Sequence, residues 1–348
     1  MNTKRKKILL CSLLKPADDV RQCVKLAATL AKIPNTEVVS VGSKANTKAN
    51  FYHNIRLIPA FYYQRGLLNR VFNFFKLFKI LLQEKPEVII VSSADLLLVT
   101  SLYKILFGCV LCYDVQENYS LNLWYTKSWP WFLKFPLAVG VRAVEWLVSP
   151  LINQYFLAEA VYARQLGFLS PTRSLILENK FQPYDGYETD KVALTKQPHL
   201  YLISGTLGPS YLILESISWF LNEVQPNNPK AELIIAGYAP DKAYLSKIQQ
   251  LVRENPCLSL VGGDTLVPYE DIIRLQLKAT YGIINLAKTP AMEGKVATKV
   301  FEYKANGLII IDLGVIAKST KTNLANNFSN TNLWESNTKP LLSIFTKY

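Results

Sequence analysis

His199-Leu200-Tyr201-Leu202-Ile203-Ser204-Gly205-Thr206-Leu207-Gly208-Pro209 is where the chain begins its pattern a second time. A run of strand-forming residues enters a turn with two glycines, and a helix is predicted over 213–221. A strand apolar along most of its length is one buried on both faces, as a parallel sheet covered by helices requires. The alternation then continues. Strand 231–236 (Ala-Glu-Leu-Ile-Ile-Ala) ends at Gly237 and is followed by helix 244–252, strand 258–261, helix 269–279 and strand 281–286. After a loop come helix 299–306, stopped by Gly307, and strand 308–312. Beyond Leu313 the pattern fades into Asn-, Ser- and Thr-rich sequence.

The residues before 199 repeat the scheme. A buried strand over 7–13 leads to Pro16-Ala17-Asp18-Asp19, which opens a helix with acidic residues at the positive end of its dipole. Val20, Val24, Ala27 and Ala31 fall on one face at helical spacing. Strands follow at 37–41 and 55–58, then an aromatic-rich helix over 67–83 and a buried strand over 86–91. A helix ending at Phe107 and a strand over 109–115 complete this stretch. Residues 124–156 read as helical, with Trp124, Trp129, Trp131 and Trp146 interleaved with Lys127, Lys134 and Arg142. A strand near Phe156 and another over 174–177 end this half. The polar, aperiodic stretch 181–198 reads as a hinge. The expected fold is α/β: two Rossmann-like domains, 1–190 and 191–348, facing each other across a cleft. Ligands are expected at the carboxyl ends of the strands.

Composition narrows the function. With 348 residues, half of them hydrophobic, the chain can bury two cores. Its five cysteines form no paired Cys-x-x-Cys motifs and fit a reducing cytoplasm, and only His53 and His199 are present. A histidine-based metal site or a Ser-His triad is therefore not expected, and neither is a cofactor. The +13 formal charge calls for an anionic partner. No nucleic-acid motif is visible, so nucleic acid is not expected among the partners. The basic N-terminus precedes an apolar run too short for a signal peptide, which reads better as a first strand. The apolar stretch 96–111 is interrupted by Lys104 and Gly108 and falls short of a membrane span.

Four segments resemble the retaining GT-B glycosyltransferases of the large GT4-like family. The strongest is Thr289-Pro290 followed by Ala297-Thr298-Lys299-Val300-Phe301-Glu302-Tyr303-Lys304-Ala305-Asn306-Gly307-Leu308-Ile309-Ile310. The others are Tyr113-Asp114-Val115-Gln116-Glu117-Asn118-Tyr119, the glycine loop 203–208, and Ala158-Glu159 with Glu178-Asn179-Lys180. There are departures. Residues 205–211 lack the family's basic pair, Glu293 precedes Glu302 by nine positions rather than eight, and Ile309 stands where a proline is usual. Tyr113 replaces a histidine, and the tail looks too short for the closing helices.

The resemblance implies transfer of a sugar, with retention and without metal, from a nucleotide diphospho-sugar to a cell-surface glycan or lipid-linked acceptor. It assigns donor binding to Gly205, Thr206, Gly208, Glu293, Thr298 and Glu302. Glu302 is expected to take ribose hydroxyls, and Thr298 to cap a helix whose N-terminus faces the diphosphate. Lys295 and Lys299 are expected to replace the missing basic pair, and these two with Asp114 are the candidate catalytic residues. Lys15, Asp18, Tyr113 and Glu117 are the candidate acceptor-binding residues. The aromatic-basic stretch 124–156 suits an anionic membrane surface, here the cytoplasmic face of the plasma membrane. A non-catalytic relative acting as a scaffold in polysaccharide assembly is the alternative. A sugar-nucleotide epimerase is a third reading, weakened by the scarcity of histidine.

Overall fold

The computed structural model describes residues 5–44, 51–52, 54–61, 67–125, 130–316 and 332–345. His53, Lys127 and Trp129 lie outside these. The chain forms two compact units, Met1–Asn179 with Asn337–Tyr348, and Lys180–Ser336.

The first unit is built on β1 (Lys6–Pro16), β2 (Thr36–Ser43), β3 (Phe51–Tyr52), β4 (Ile55–Phe61), β5 (Val88–Val91), β6 (Val110–Val115), β7 (Gln154–Leu157) and β8 (Ser174–Ile176). Their order in the sheet is β3-β4-β2-β1-β5-β6-β7-β8. Seven strands run parallel and only the short β3 is antiparallel to its neighbour. Ile8, Leu9, Leu10 and Cys11 of β1 and Val88, Ile89, Ile90 and Val91 of β5 are wholly buried. Burial on both faces is why these strands show no polar alternation, and each large side chain contributes about 1.5–3 kcal/mol.

The first helix departs from the expected face. Asp19 caps Val20–Ala27 by accepting from the Arg21 and Gln22 amides, but this segment is wound as a π-helix and continues into Ala28–Leu30. A π-helix turns less per residue than an α-helix, so the stripe extrapolated at 3.6 residues per turn is displaced. Val20, Val24 and Ala31 are only partly buried, whereas Arg21, Gln22, Cys23, Lys25, Leu26 and Leu30 face inward.

On the first unit helix Leu67–Glu84 packs on Leu97–Phe107, which packs on Trp131–Val148, and Tyr119–Tyr125 packs on the last of these. Their outer faces expose Phe72 (70%), Ile105 (65%), Trp131 (83%) and Leu147 (72%), far more apolar surface than scattered residues explain. Among the described residues no helix is long and apolar enough to cross a membrane.

The second unit carries β9 (Gln197–Thr206), β10 (Glu232–Tyr238), β11 (Leu258–Gly263), β12 (Ala279–Ile284) and β13 (Ile309–Asp312), all parallel, in the order β11-β10-β9-β12-β13. Asp241 caps helix Lys242–Glu254 through the Ala243 and Tyr244 amides. Such a cap is worth about 1 kcal/mol. The stretch read as a hinge is structured: Phe181, Tyr184 and Tyr187 are buried with Ile273, Leu277 and Ala305, and Tyr187 opens a helix, Tyr187–Ala193. Phe181 also bridges to Leu333 in the second unit, its amide donating to Asn332 O.

Glu335–Phe345 forms a helix that the composition did not announce. From Asn337 onward it belongs to the first unit. The Asn337 side-chain amide donates to Glu178 O at 2.9 Å, and the Phe345 ring lies 6.3 Å from that of Phe156.

Candidate functional site

In the second sheet the strand order reverses between β9 and β12, so the crevice for a ligand lies beyond their carboxyl ends. Three glycines stand in register there: Gly237 pairs with Gly205 on one side and with Gly262 on the other. All three have positive φ. A Cβ on Gly237 would collide with the Gly205 carbonyl oxygen, and one on Gly262 with that of Gly237. Only glycine permits this approach of main chain to main chain. Gly208 is different: it is extended, at φ −148°, with open space where a Cβ would stand. Thr206, between them, is exposed.

Lys299 closes one side of this floor. Its Nζ lies 2.8 Å from where a Cβ on Gly205 would sit, so its ammonium rests against the glycine main chain. It extends from helix Thr298–Ala305, whose N-cap is Ala297. Thr298 is thus the first helical residue and not the cap. Since alanine offers no capping oxygen, no side chain caps the helix's first amides. The helix ends in a Schellman motif at Gly307 (φ +67°), with Leu308 N donating to Tyr303 O and Gly307 N to Lys304 O.

Glu302 lies one turn into this helix and is 5% exposed. Its Oε2 accepts from Gln276 Nε2 at 2.9 Å and lies 3.9 Å from Lys299 Nζ. Its Oε1 carries no hydrogen bond among the described residues and keeps contact with solvent. Gln276 is itself held, its carbonyl accepting from Asn306 Nδ2, while Asn306 Oδ1 accepts from Tyr187. Lys196 donates to Gln276 O and Ala279 O, fixing the end of helix Tyr269–Lys278, and burial lowers its pKa to about 8. Tyr303 ties the helix to β9: the Ser204 amide donates to its hydroxyl at 3.1 Å. Gln276, Asn306 and Tyr187 were not legible as site residues because their roles arise only from contacts between distant segments. Gly237 and Gly262 carried a signal, a glycine at each strand's end. The loop after β12 is drawn over the glycine turn by Ala287 N donating to Ser210 O. Within that loop Glu293 is exposed and Lys295 is partly buried.

In the first unit the order reverses between β1 and β5. Lys15, at the end of β1, and Asp18, just beyond it, are partly buried at this crevice. Two candidates nearby turn inward. Asp114 is fully buried, accepting from Arg21 Nε and Nη2, from Gln116 Nε2, and from Ser92 Oγ at the long distance of 3.4 Å. Its carboxylate is committed to a buried ion pair, since an unpaired charge there would be costly. Arg21, missed in the sequence, also donates to Leu177 O. Tyr113 points into the core, not out to an acceptor, and donates to Glu145 Oε1. Burial raises the Glu145 pKa to about 7, against the opposing effects of Arg142 and Tyr113. Glu117 remains partly exposed and accepts from Asn122.

No protein-family model matches the sequence, and none of the curated proteins matches it. Solved structures do. A trehalose-phosphate synthase (UDP-forming) from Burkholderia xenovorans is similar over 99% of each chain, with 12% identity and a TM-score of 0.63. A sucrose-phosphate synthase from Thermosynechococcus elongatus matches 88% of this chain and 81% of its own, with 14% identity and a TM-score of 0.62. Anabaena HepE in complex with UDP-glucose matches 98% and 89%, with 11% identity and a TM-score of 0.60. At such identities the likeness is one of fold. With its two Rossmann-like units, the chain has the GT-B fold.

Proposed function

We propose that the chain is a retaining, metal-independent glycosyltransferase that moves a sugar from a nucleotide diphospho-sugar to a cell-surface glycan or glycolipid. The observation that carries this reading is the Lys299 ammonium lying against the glycine floor of β9, with the Glu302 carboxylate one turn behind it. A diphosphate placed on that floor meets the main chain of residues 205–208, the helix N-terminus and Lys299, which together stabilise the charge of the leaving group. Glu302 Oε1 then accepts from the ribose. The structural neighbours support the donor class, since HepE holds UDP-glucose. Lys295 is assigned a second, lesser share of the charge, and Thr206, Gly208, Glu293 and Thr298 are assigned to the donor's periphery. Lys15, Asp18 and Glu117 are assigned to the acceptor. Asp114 and Tyr113 support the first unit from beneath.

Attachment to the inner face of the plasma membrane belongs to the same proposal, supported by the exposed apolar helices of the first unit and the +13 charge. A thermal-shift panel of nucleotide diphospho-sugars, followed by donor hydrolysis without acceptor, tests the reading. A stabilising nucleotide sugar that is slowly hydrolysed supports it. The absence of a basic pair in residues 205–211 favours a non-catalytic scaffold, and a panel without any hit would establish that alternative.

A further inference from the structure

Between helices Tyr119–Tyr125 and Trp131–Val148 the first unit holds an open trough of about 700 Å³. Its walls are apolar: Leu121, Trp124, Phe135, Val139 and Trp146. Trp124, Phe135, Val139 and Trp146 are each about half-exposed, so the trough opens along its rim onto the apolar outer face of the same helices.

Its polar end is of a different character. Asn118, Arg142 and Gln165 meet there. Among the described residues, Arg142 is the only charged one lining the trough. The acceptors of this group are used internally. Asn118 Oδ1 accepts from Arg142 Nη2 at 2.7 Å, and Gln165 Oε1 accepts from Asn118 Nδ2 at 3.2 Å. The two Glu145 oxygens take Arg142 Nη1 and the Tyr113 hydroxyl. Among the described residues, Arg142 Nε and Gln165 Nε2 make no hydrogen bond. The polar end therefore offers donors and a guanidinium, while the walls offer hydrocarbon and aromatic surface. That pairing selects an amphiphile with an anionic head, and arginine suits phosphate in particular. The volume falls within the range of ordinary ligand sites.

We propose that this trough binds one aliphatic chain ending in a phosphate, the chain lying along Trp124, Phe135, Val139 and Trp146 and the phosphate on Arg142 and Gln165. The site is separate from the donor residues and stands whether or not the chain transfers sugar.

The test is calorimetric titration of the full chain with dodecyl phosphate below its critical micelle concentration. Dodecyl maltoside and dodecyltrimethylammonium serve as neutral and cationic controls, and lysophosphatidylglycerol as the diester. One saturable site is expected, with dodecyl phosphate bound about 10- to 100-fold more tightly than either control. Equal binding of monoester and diester supports the shared phosphate chemistry; a preference for one identifies the source and supports the site equally. Ala143→Trp, on an exposed rim position, fills the trough and should remove the site. Arg142→Gln should erase the preference for phosphate, and Gln165→Leu should reduce it where the arginine variant fails to fold. Absence of dodecyl phosphate binding overturns the proposal, as does equal affinity for the neutral detergent. Non-saturating uptake untouched by Ala143→Trp would assign the binding to the outer helix faces and overturn it too.

Discussion

Replacing Glu302 separates its two duties. One is outward: Oε1 has no partner among the described residues and is reserved in this reading for ribose hydroxyls. A charge-assisted hydrogen bond of this kind is worth about 1.5–3 kcal/mol, so its loss should weaken nucleotide binding roughly 10- to 150-fold. The other duty is inward. Oε2 satisfies Gln276 Nε2 at 2.9 Å, and the nearest substitute, Ser204 Oγ, is 3.5 Å from that amide. Glu302→Ala leaves a buried donor poorly satisfied, at a stability cost of about 1–3 kcal/mol. Glu302→Gln keeps an oxygen for Gln276 but removes the charge, so it should be nearly as stable as the parent and still bind poorly. Calorimetric titration with the nucleotide selected by the thermal-shift panel, beside urea unfolding of each variant, reads the two effects separately. If folded Glu302→Gln and Glu302→Ala both bind with parental affinity, the carboxylate does not touch the ligand and the assignment fails.

Lys299→Ala and Lys295→Ala should each lower turnover by about 10²–10³, with the larger loss at Lys299, while chelators leave the rate unchanged; full activity in both variants refutes the charge assignment. Glu145 is predicted to make stability fall with pH. Its carboxyl is raised by burial from 4.5 to about 7, so the folded chain binds the proton more tightly than the unfolded one. That contribution is complete below about pH 4.5 and is lost as pH rises through 7, a change on the order of 3 kcal/mol. Urea midpoints at pH 5 and pH 8 should converge in Glu145→Gln, and an unaltered pH dependence would show that Glu145 is not the group responsible. The chain should sediment with vesicles rich in anionic lipid and be released from them as salt rises. Equal sedimentation with neutral vesicles argues against electrostatic attachment.

Strands were the most legible elements, because burial on both faces leaves an apolar run with no need of long-range information. Residues 88–91 and 233–236 show it directly. The helix bearing Glu302 was legible from its stop at Gly307, but its start was not. Thr298 has the chemistry of a cap, yet the backbone places Ala297 there, and no local rule favours alanine. The stretch 181–198 lacked periodicity because its aromatic side chains bury against helix Tyr269–Lys278 and not along a face of their own. Arg21 and Lys25 carry no local signal of burial, since the partners that bury them, Asp114 and Asn179, are 93 and 154 residues away. The placement of Lys299 against Gly205 was likewise invisible.

The row of glycines at Gly205, Gly237 and Gly262 has a consequence for how such a chain can change over time. The main-chain part of this seat has no side chain to exchange, so mutation there can abolish it but cannot retune it. If the proposed donor occupies this seat, selectivity for different sugars has to be altered elsewhere, in the side chains of the loop over 285–297, whose Ala287 amide donates to Ser210 O. In the proposed reading, recognition of the leaving group and choice of the transferred group are thereby kept on separate genetic footings. Variation in one can accumulate without eroding the other.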